Sequence, residues 1–177
     1  MLTKPLWFLG TLTLGIVFSS TSGLAAGQDG GPTGTLRYSK EAAVAAQQKS
    51  AKSLVERYQA ALNNSDFATI RTFFAPDAVA EWNEKQTMVG VDAMREPYEA
   101  LFKTTKFSTD FQFDAADIYG DVAIVRTHHP VGQVEVTIKT GKKTLDFNRE
   151  IFVLRRFGPD WKIVLYTFSR QPRQGEQ

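Results

Sequence analysis

The sequence predicts an α+β fold in which two to three N-terminal helices pack on a curved antiparallel sheet. Between residues 39 and 102, apolar side chains recur at the spacing of amphipathic helices. From Phe107 onward they alternate with polar side chains, which is the period of a half-buried strand. Short glycine-containing turns separate the later segments, and strands joined by such turns pair in antiparallel order.

Three helices are predicted in the first half of the chain. The first spans residues 39–63 and is capped by Ser39, whose hydroxyl can accept from free first-turn amides. Its predicted buried stripe consists of Leu54, Val55, Tyr58, Ala61 and Leu62. The second helix spans residues 67–74. A third follows Gly90, and Pro97 is expected to kink it or delay its start because proline lacks an amide hydrogen.

Six strand segments complete the predicted domain. A hairpin joins residues 78–82 to 86–89, and longer strands follow at 107–115, 122–134, 144–156 and 161–169. In the last two strands both parities are rich in apolar residues, so both faces are expected to be covered. The helices cover one face. A second copy of the chain is the simplest cover for the other, which predicts a homodimer through the outer sheet face.

The ends of the chain differ in composition from the middle. Lys4, the apolar run 6–18 and the small residues 19–26 fit a secretory signal peptide spanning residues 1–26. The alternative is an uncleaved anchor, but the run is shorter than the roughly 20 apolar residues that a membrane span needs. We therefore expect an exported protein, periplasmic or secreted, with no membrane association after cleavage. Residues 27–38 are predicted to be a flexible linker and 171–177 a disordered tail.

Charge and cysteine content exclude several classes of function. Cleavage after residue 26 would leave 151 of the 177 residues and remove one basic and no acidic residue, so the net charge falls from +2 to +1. A nearly neutral domain argues against nucleic acid as a partner. The chain has no cysteine, and its two histidines are adjacent, so a metal site has little support. We expect no cofactor.

Several segments of the chain resemble one known family. In the helical half they are Arg57-Tyr58, Leu62-Asn63, Asp66, Ile70 and Phe74-Ala75-Pro76-Asp77-Ala78-Val79. In the strand half they are Gly120-Asp121-Val122-Ala123, Phe152-Val153-Leu154-Arg155-Arg156 and Trp161-Lys162-Ile163-Val164. Their order and spacing resemble SnoaL-like and ketosteroid isomerase-like domains of the nuclear transport factor 2-like superfamily. The resemblance covers about residues 50–170 and assigns residues 39–170 to a SnoaL-like domain.

The resemblance implies a cone-shaped fold with an open pocket at the wide end. Tyr58 matches the helix tyrosine that donates a hydrogen bond to the developing enolate in ketosteroid isomerases. Trp82 stands where those enzymes carry an aspartate base, and indole cannot take up a proton. Leu165 and Thr167 stand where many relatives carry histidines. Ketosteroid isomerase activity is therefore not expected. Tyr58 is either a hydrogen-bond donor in the pocket or simply a tyrosine of the core.

Strand parity selects between the two histidines, and the family resemblance supplies the other candidates. Adjacent strand residues face opposite ways, so His128 and His129 cannot both enter one cavity. His129 shares its parity with uncharged residues, which favours the interior, although it could also lie at the rim. The family pattern places Asn148, Glu150 and Phe152 inside. Glu150 could act as an acid or base or could pair with a buried arginine.

These observations favour a domain that binds a small apolar or aromatic molecule. The predicted ligand-binding residues are Tyr58, Trp82, Tyr98, Phe102, His129, Asn148, Glu150 and Phe152. The first alternative is a cofactor-free isomerase, cyclase or dehydratase, in which Glu150 or His129 transfers a proton and Tyr58 donates a hydrogen bond. The second is an association module that dimerises without a ligand. The family fold does not decide among them.

Overall fold

The computed structural model of the protein describes residues 35–129 and 133–170. Three α-helices lie in this part of the chain: α1 (Ala42–Asn63), α2 (Phe67–Phe73) and α3 (Arg95–Thr104). The predicted signal peptide (1–26), most of the predicted linker and the tail (171–177) lie outside the described residues. No helix in the described part is both long enough and apolar enough to span a bilayer.

The stripe predicted on α1 is buried throughout, and this helix packs its apolar side on the sheet. The predicted start was wrong. Glu41 is the residue before the helix, and no side chain caps it. Ser39 instead accepts a hydrogen bond of 3.1 Å from the amide of Glu41, ahead of the helix. A serine oxygen can satisfy amides in a turn as well as in a first helical turn, so the residue type alone does not locate the boundary.

The later helices follow their local signals. Asp66 caps α2 by accepting from the amide of Thr69 at 2.9 Å. A short 3₁₀ turn, Val91–Met94, precedes α3. Pro97 is the third residue of α3. An amide hydrogen at this position would have no acceptor within the helix, so proline is tolerated there. The delayed start expected from Pro97 is confirmed.

Nine strands form two sheets in the described residues. They are β1 (Phe74–Glu81), β2 (Met88–Val89), β3 (Thr105–Ser108), β4 (Gln112–Tyr119), β5 (Val122–His128), β6 (Gln133–Thr137), β7 (Lys143–Asp146), β8 (Asn148–Phe157) and β9 (Asp160–Arg170). The main sheet has the order β2-β1-β9-β8-β5-β4, and the smaller has the order β3-β6-β7. The pairing is antiparallel except between β1 and β9, which run parallel. The α+β fold with helices on a mostly antiparallel sheet is confirmed.

Three of the predicted long strands are each divided in two, and the halves belong to different sheets. The strand predicted at 107–115 is interrupted at residues 109–111. The strand predicted at 122–134 is interrupted after His128, and the strand predicted at 144–156 is interrupted at Phe147. At the first break, the side chains of Asn63 and Gln59 from α1 accept from the amides of Thr109 and Phe111 at 2.8 and 2.7 Å. These two amides therefore donate to side chains of α1 and not to a neighbouring strand, as they would in a continuous β-ladder.

The two faces of the main sheet have different surroundings. On the inner face Val125, Phe152 and Tyr166 lie in register across three strands and are buried beneath α1. On the outer face the register row Val79, Leu165, Val153, Ile124 and Asp117 crosses five strands, and its side chains are partly exposed. The core therefore lies between the helices and only one face of the sheet.

Candidate functional site

A cavity of about 880 Å³ lies between α1, α3, the residues after β1 and the inner face of the main sheet. Its wall is mostly apolar and aromatic. The lining residues are Tyr58, Leu62, Trp82, Asn83, Lys85, Gln86, Thr87, Met88, Val89, Ala93, Glu96, Pro97, Tyr98, Ala100, Leu101, Thr104, Phe107, Phe111, Asn148, Glu150, Tyr166 and Phe168. Aromatic side chains do not fill the cone, which leaves space for a small organic molecule.

Two buried tyrosines face each other across the wall of the cavity. The Tyr58 hydroxyl, from the inner side of α1, lies 2.7 Å from the Tyr98 hydroxyl on α3. Burial raises the pKa of both phenols well above the usual value, and a hydrogen bond to Tyr166 contributes in the same direction at Tyr58. Both phenols are therefore neutral hydrogen-bonding groups at ordinary pH.

Glu150 is the buried acid of the site. It stands on β8 with only 2% of its surface exposed, and it lines the cavity. The Thr127 hydroxyl on neighbouring β5 donates to Glu150 Oε2 at 2.6 Å. The pairing of Thr127 with Glu150 in the sheet register places both side chains on the inner face.

His129 lies behind Glu150 and follows the last residue of β5. Its Nε2 is 3.0 Å from Glu150 Oε1, which satisfies the distance of an ion pair, but the N–H direction is not aligned for a hydrogen bond. The contact is therefore electrostatic and is not a hydrogen bond. The imidazole stacks on Phe111 with ring centres 5.3 Å apart and planes 19° apart.

The neighbouring histidine faces the other way, as strand parity predicts. His128 Nδ1 lies 2.8 Å from Asp114 Oδ1, and both side chains are partly exposed. The His128–Asp114 pair therefore has no access to the cavity, and His129 is the histidine associated with the site. No group of three His, Asp or Glu side chains that could hold a metal ion occurs within residues 35–129 and 133–170.

Trp82 follows β1 and forms another part of the wall. Its indole packs edge-on against the Tyr98 ring, with centres 4.8 Å apart and planes 88° apart. The indole nitrogen is buried and has no hydrogen-bond partner among the described residues. The side chain that stands in place of the family's aspartate thus supplies an aromatic surface and a donor rather than a base.

The structure brings five of the eight predicted residues to the cavity surface: Tyr58, Trp82, Tyr98, Asn148 and Glu150. The other three do not line it. His129 contacts Glu150 from behind, Phe152 stacks on Tyr166 with ring centres 4.7 Å apart, and Phe102 packs on Tyr98 with ring centres 5.7 Å apart. All three therefore contact residues that line the cavity. The ring of Phe152 is completely buried, so it has no surface left for a ligand.

Sequence reasoning missed four aromatic residues that line the wall: Phe107, Phe111, Tyr166 and Phe168. Phe111 was assigned to the middle of a continuous strand, yet it lies in the break that α1 creates. Phe168 was assigned to a strand with two apolar parities, so no signal showed which parity faces inward. Its register partner Glu150 was predicted to face inward, and pairing the two strands could have identified Phe168.

The chain was compared with known families and proteins. A family model described as SnoaL-like domain matches residues 55–166. No sequence among curated proteins matches significantly. The match runs from the second half of α1 into β9, so it includes every residue that lines the cavity except Phe168, and it includes both His129 and Glu150.

Solved structures with the same fold include several bacterial proteins. A ketosteroid isomerase-like protein from Erwinia carotovora atroseptica has a TM-score of 0.66 and 22% identity over 72% of this chain and 98% of that chain. A nuclear transport factor 2-like superfamily protein from Salmonella enterica serovar Typhimurium has a TM-score of 0.63 and 18% identity over 72% of this chain and 93% of that chain. At these identities the likeness concerns the fold alone.

Proposed function

The chain belongs to the SnoaL-like domain family, and on this basis we propose that it binds a small apolar or aromatic molecule in the cavity. The observation that carries the proposal is the cavity of about 880 Å³, whose wall combines many aromatic rings with a few buried polar groups. Ligand sites have this character, because apolar surface supplies affinity and a few polar groups set orientation. An association module without a ligand would have no need of the empty volume.

Binding is tested with uncharged naphthalene derivatives and measured by calorimetry. We expect saturable binding that is lost in Leu101→Trp, because Leu101 lines the cavity and is only half-buried. Ile138→Trp serves as the matched control, since Ile138 is exposed and does not line the cavity. Equal binding by both variants, or no binding by the unmodified protein, would refute the proposal. Native mass spectrometry of protein from its own host identifies a retained ligand.

A second candidate function is cofactor-free proton transfer, as in an isomerase, cyclase or dehydratase. It is favoured by the placement of Glu150, a buried carboxylate that lines the cavity and contacts His129. Such a group could take a proton from a bound carbon acid while Tyr58 or Tyr98 donates to the developing oxyanion. Deuterium exchange into bound aryl ketones, followed by NMR, should fall about a hundredfold in Glu150→Gln. Unchanged exchange would eliminate this scheme.

We also propose that two copies associate through the outer face of the main sheet. The central row of that face is aliphatic and partly exposed, from Val79 through Leu165 and Val153 to Ile124. Exposed apolar patches of this kind are typical of association surfaces. The adjacent row carries Glu81 at one end and Arg126 at the other, so a two-fold arrangement could bring opposite charges together.

Export remains a proposal that rests on residues 1–26 of the sequence. The intact mass of protein isolated from its host should correspond to a chain that begins near residue 27. Recovery of the full 177-residue chain from the cytoplasm would contradict it.

A further inference from the structure

The charged groups that line the cavity differ in depth. Three of the described lining residues are charged: Lys85, Glu96 and Glu150. Lys85 and Glu96 are exposed and of opposite sign, so water screens both at the mouth. Glu150 is buried, and water screens it much less. The deep part of the cavity is therefore dominated by one carboxylate.

His129 contacts that carboxylate from behind, and it does not line the cavity. Its side chain is 1% exposed. A ligand in the deep part of the cavity therefore meets the carboxylate of Glu150 and not the imidazole.

The aromatic wall adds to the same preference. The seven rings that line the cavity are those of Tyr58, Trp82, Tyr98, Phe107, Phe111, Tyr166 and Phe168. The face of an aromatic ring carries partial negative charge, and cations are attracted to it, most strongly to tryptophan. An anion meets the opposite interaction from both the ring faces and the carboxylate.

We infer that the cavity selects organic cations, in which a protonated amine is carried on an apolar or aromatic body. This inference rests on the proposed binding function and names the chemical class of its ligand. The amine would donate to Glu150, the one charged side chain among the described residues that lines the deep part of the cavity. An added anion in the cavity would be disfavoured for the same reasons.

Three probes of nearly equal size test the inference: 2-naphthylmethylamine, 2-naphthalenemethanol and 2-naphthoate. Their affinities for the purified protein are measured by calorimetry near neutral pH and moderate salt. We expect the amine to bind about tenfold more tightly than the alcohol, which is the scale of one hydrogen bond to a charged group. The carboxylate should bind about a hundredfold more weakly than the alcohol. Equal affinities, or tighter binding of the carboxylate, would overturn the inference.

Substitution assigns the preference to Glu150. Glu150→Gln should abolish the advantage of the amine over the alcohol. Glu96→Gln is the matched control, because it removes a carboxylate that lines the exposed mouth. If Glu96→Gln removes the advantage equally, Glu150 is not its source. The probe series on the unmodified protein decides the charge preference even if Glu150→Gln fails to fold.

The outcomes also separate the inference from the function on which it rests. If none of the three probes binds and Leu101→Trp changes nothing, the proposed binding function fails. If all three bind in the cavity without regard to charge, that function stands and the preference for cations is wrong.

Discussion

The two faces of the main sheet are both apolar, but they are apolar in different ways. On the inner face, Phe152, Tyr166 and neighbouring rings surround a cavity and one buried acid. On the outer face, the central row from Val79 to Ile124 is aliphatic and partly exposed. The inner face has the rigid rings and polar groups that ligand recognition needs, whereas the outer face has the plain apolar surface of an interface.

The difference shows that hydrophobicity alone does not assign a role to a sheet face. Consecutive residues of β8 illustrate this: Ile151 is 41% exposed, while Phe152 is completely buried. Both would score as core residues in a sequence window. Their burial differs because α1 covers one face of the sheet and no other described element covers the centre of the other.

The largest expected effect comes from truncating the inner face. Phe152→Ala should lower the free energy of unfolding by about 3–5 kcal/mol, because it leaves a cavity among Tyr58, Phe111 and Tyr166. Ile151→Ala on the outer face should cost about 1 kcal/mol or less at low protein concentration, since part of that side chain already contacts water. Urea denaturation of the two variants measures the contrast. Equal losses would mean that the faces are not distinct.

An intermediate effect is expected from a charge on the outer face. Leu165→Asp should weaken dimerisation at least about a hundredfold, since an unpaired carboxylate would be buried between the two copies. Sedimentation at micromolar concentration should show a dimer for the unmodified chain and a monomer for the variant, with unchanged circular dichroism. Ile138→Asp is the control, because Ile138 is an exposed aliphatic residue outside the main sheet. A monomeric unmodified protein would refute the proposed interface.

The smallest effect concerns the tyrosine pair on the inner face. Tyr98→Phe removes one buried hydrogen bond to Tyr58 and should cost about 1 kcal/mol. Because burial raises the pKa of both phenols, the folded state retains their protons above the unfolded value of about 10. Their contribution is therefore fully present below about pH 10 and is lost as the pH rises further. Ultraviolet titration should show two late-ionising tyrosines, and one fewer in Tyr98→Phe.

Local patterns predicted much of the fold. The apolar period of α1, the break before Asp66 and the delayed start of α3 at Pro97 were readable because each depends on residues a few positions apart. Strand parity placed His129 on the inner side for the same reason, and the family resemblance placed Glu150 there.

The candidate site was predicted only in part. Five of the eight residues line the cavity, whereas His129, Phe102 and Phe152 stand behind its surface. Parity distinguishes inside from outside, but it does not measure depth. Depth depends on how the rings of several elements fill the space between helix and sheet, and a single strand carries no signal for that packing.

The amino-acid sequence was sufficient to predict the class of fold and the order of its helices and strands, whereas the inward orientation of Glu150 was expected only from the family resemblance. The tertiary structure alone decided where the long strands divide, that β1 lies parallel to β9, and that the Tyr58 and Tyr98 hydroxyls meet. The amides of Thr109 and Phe111 bond to side chains of α1 that precede them by 46 and 52 residues. Periodicity reports the preferences of neighbouring residues, whereas contacts of this range depend on how the whole chain packs.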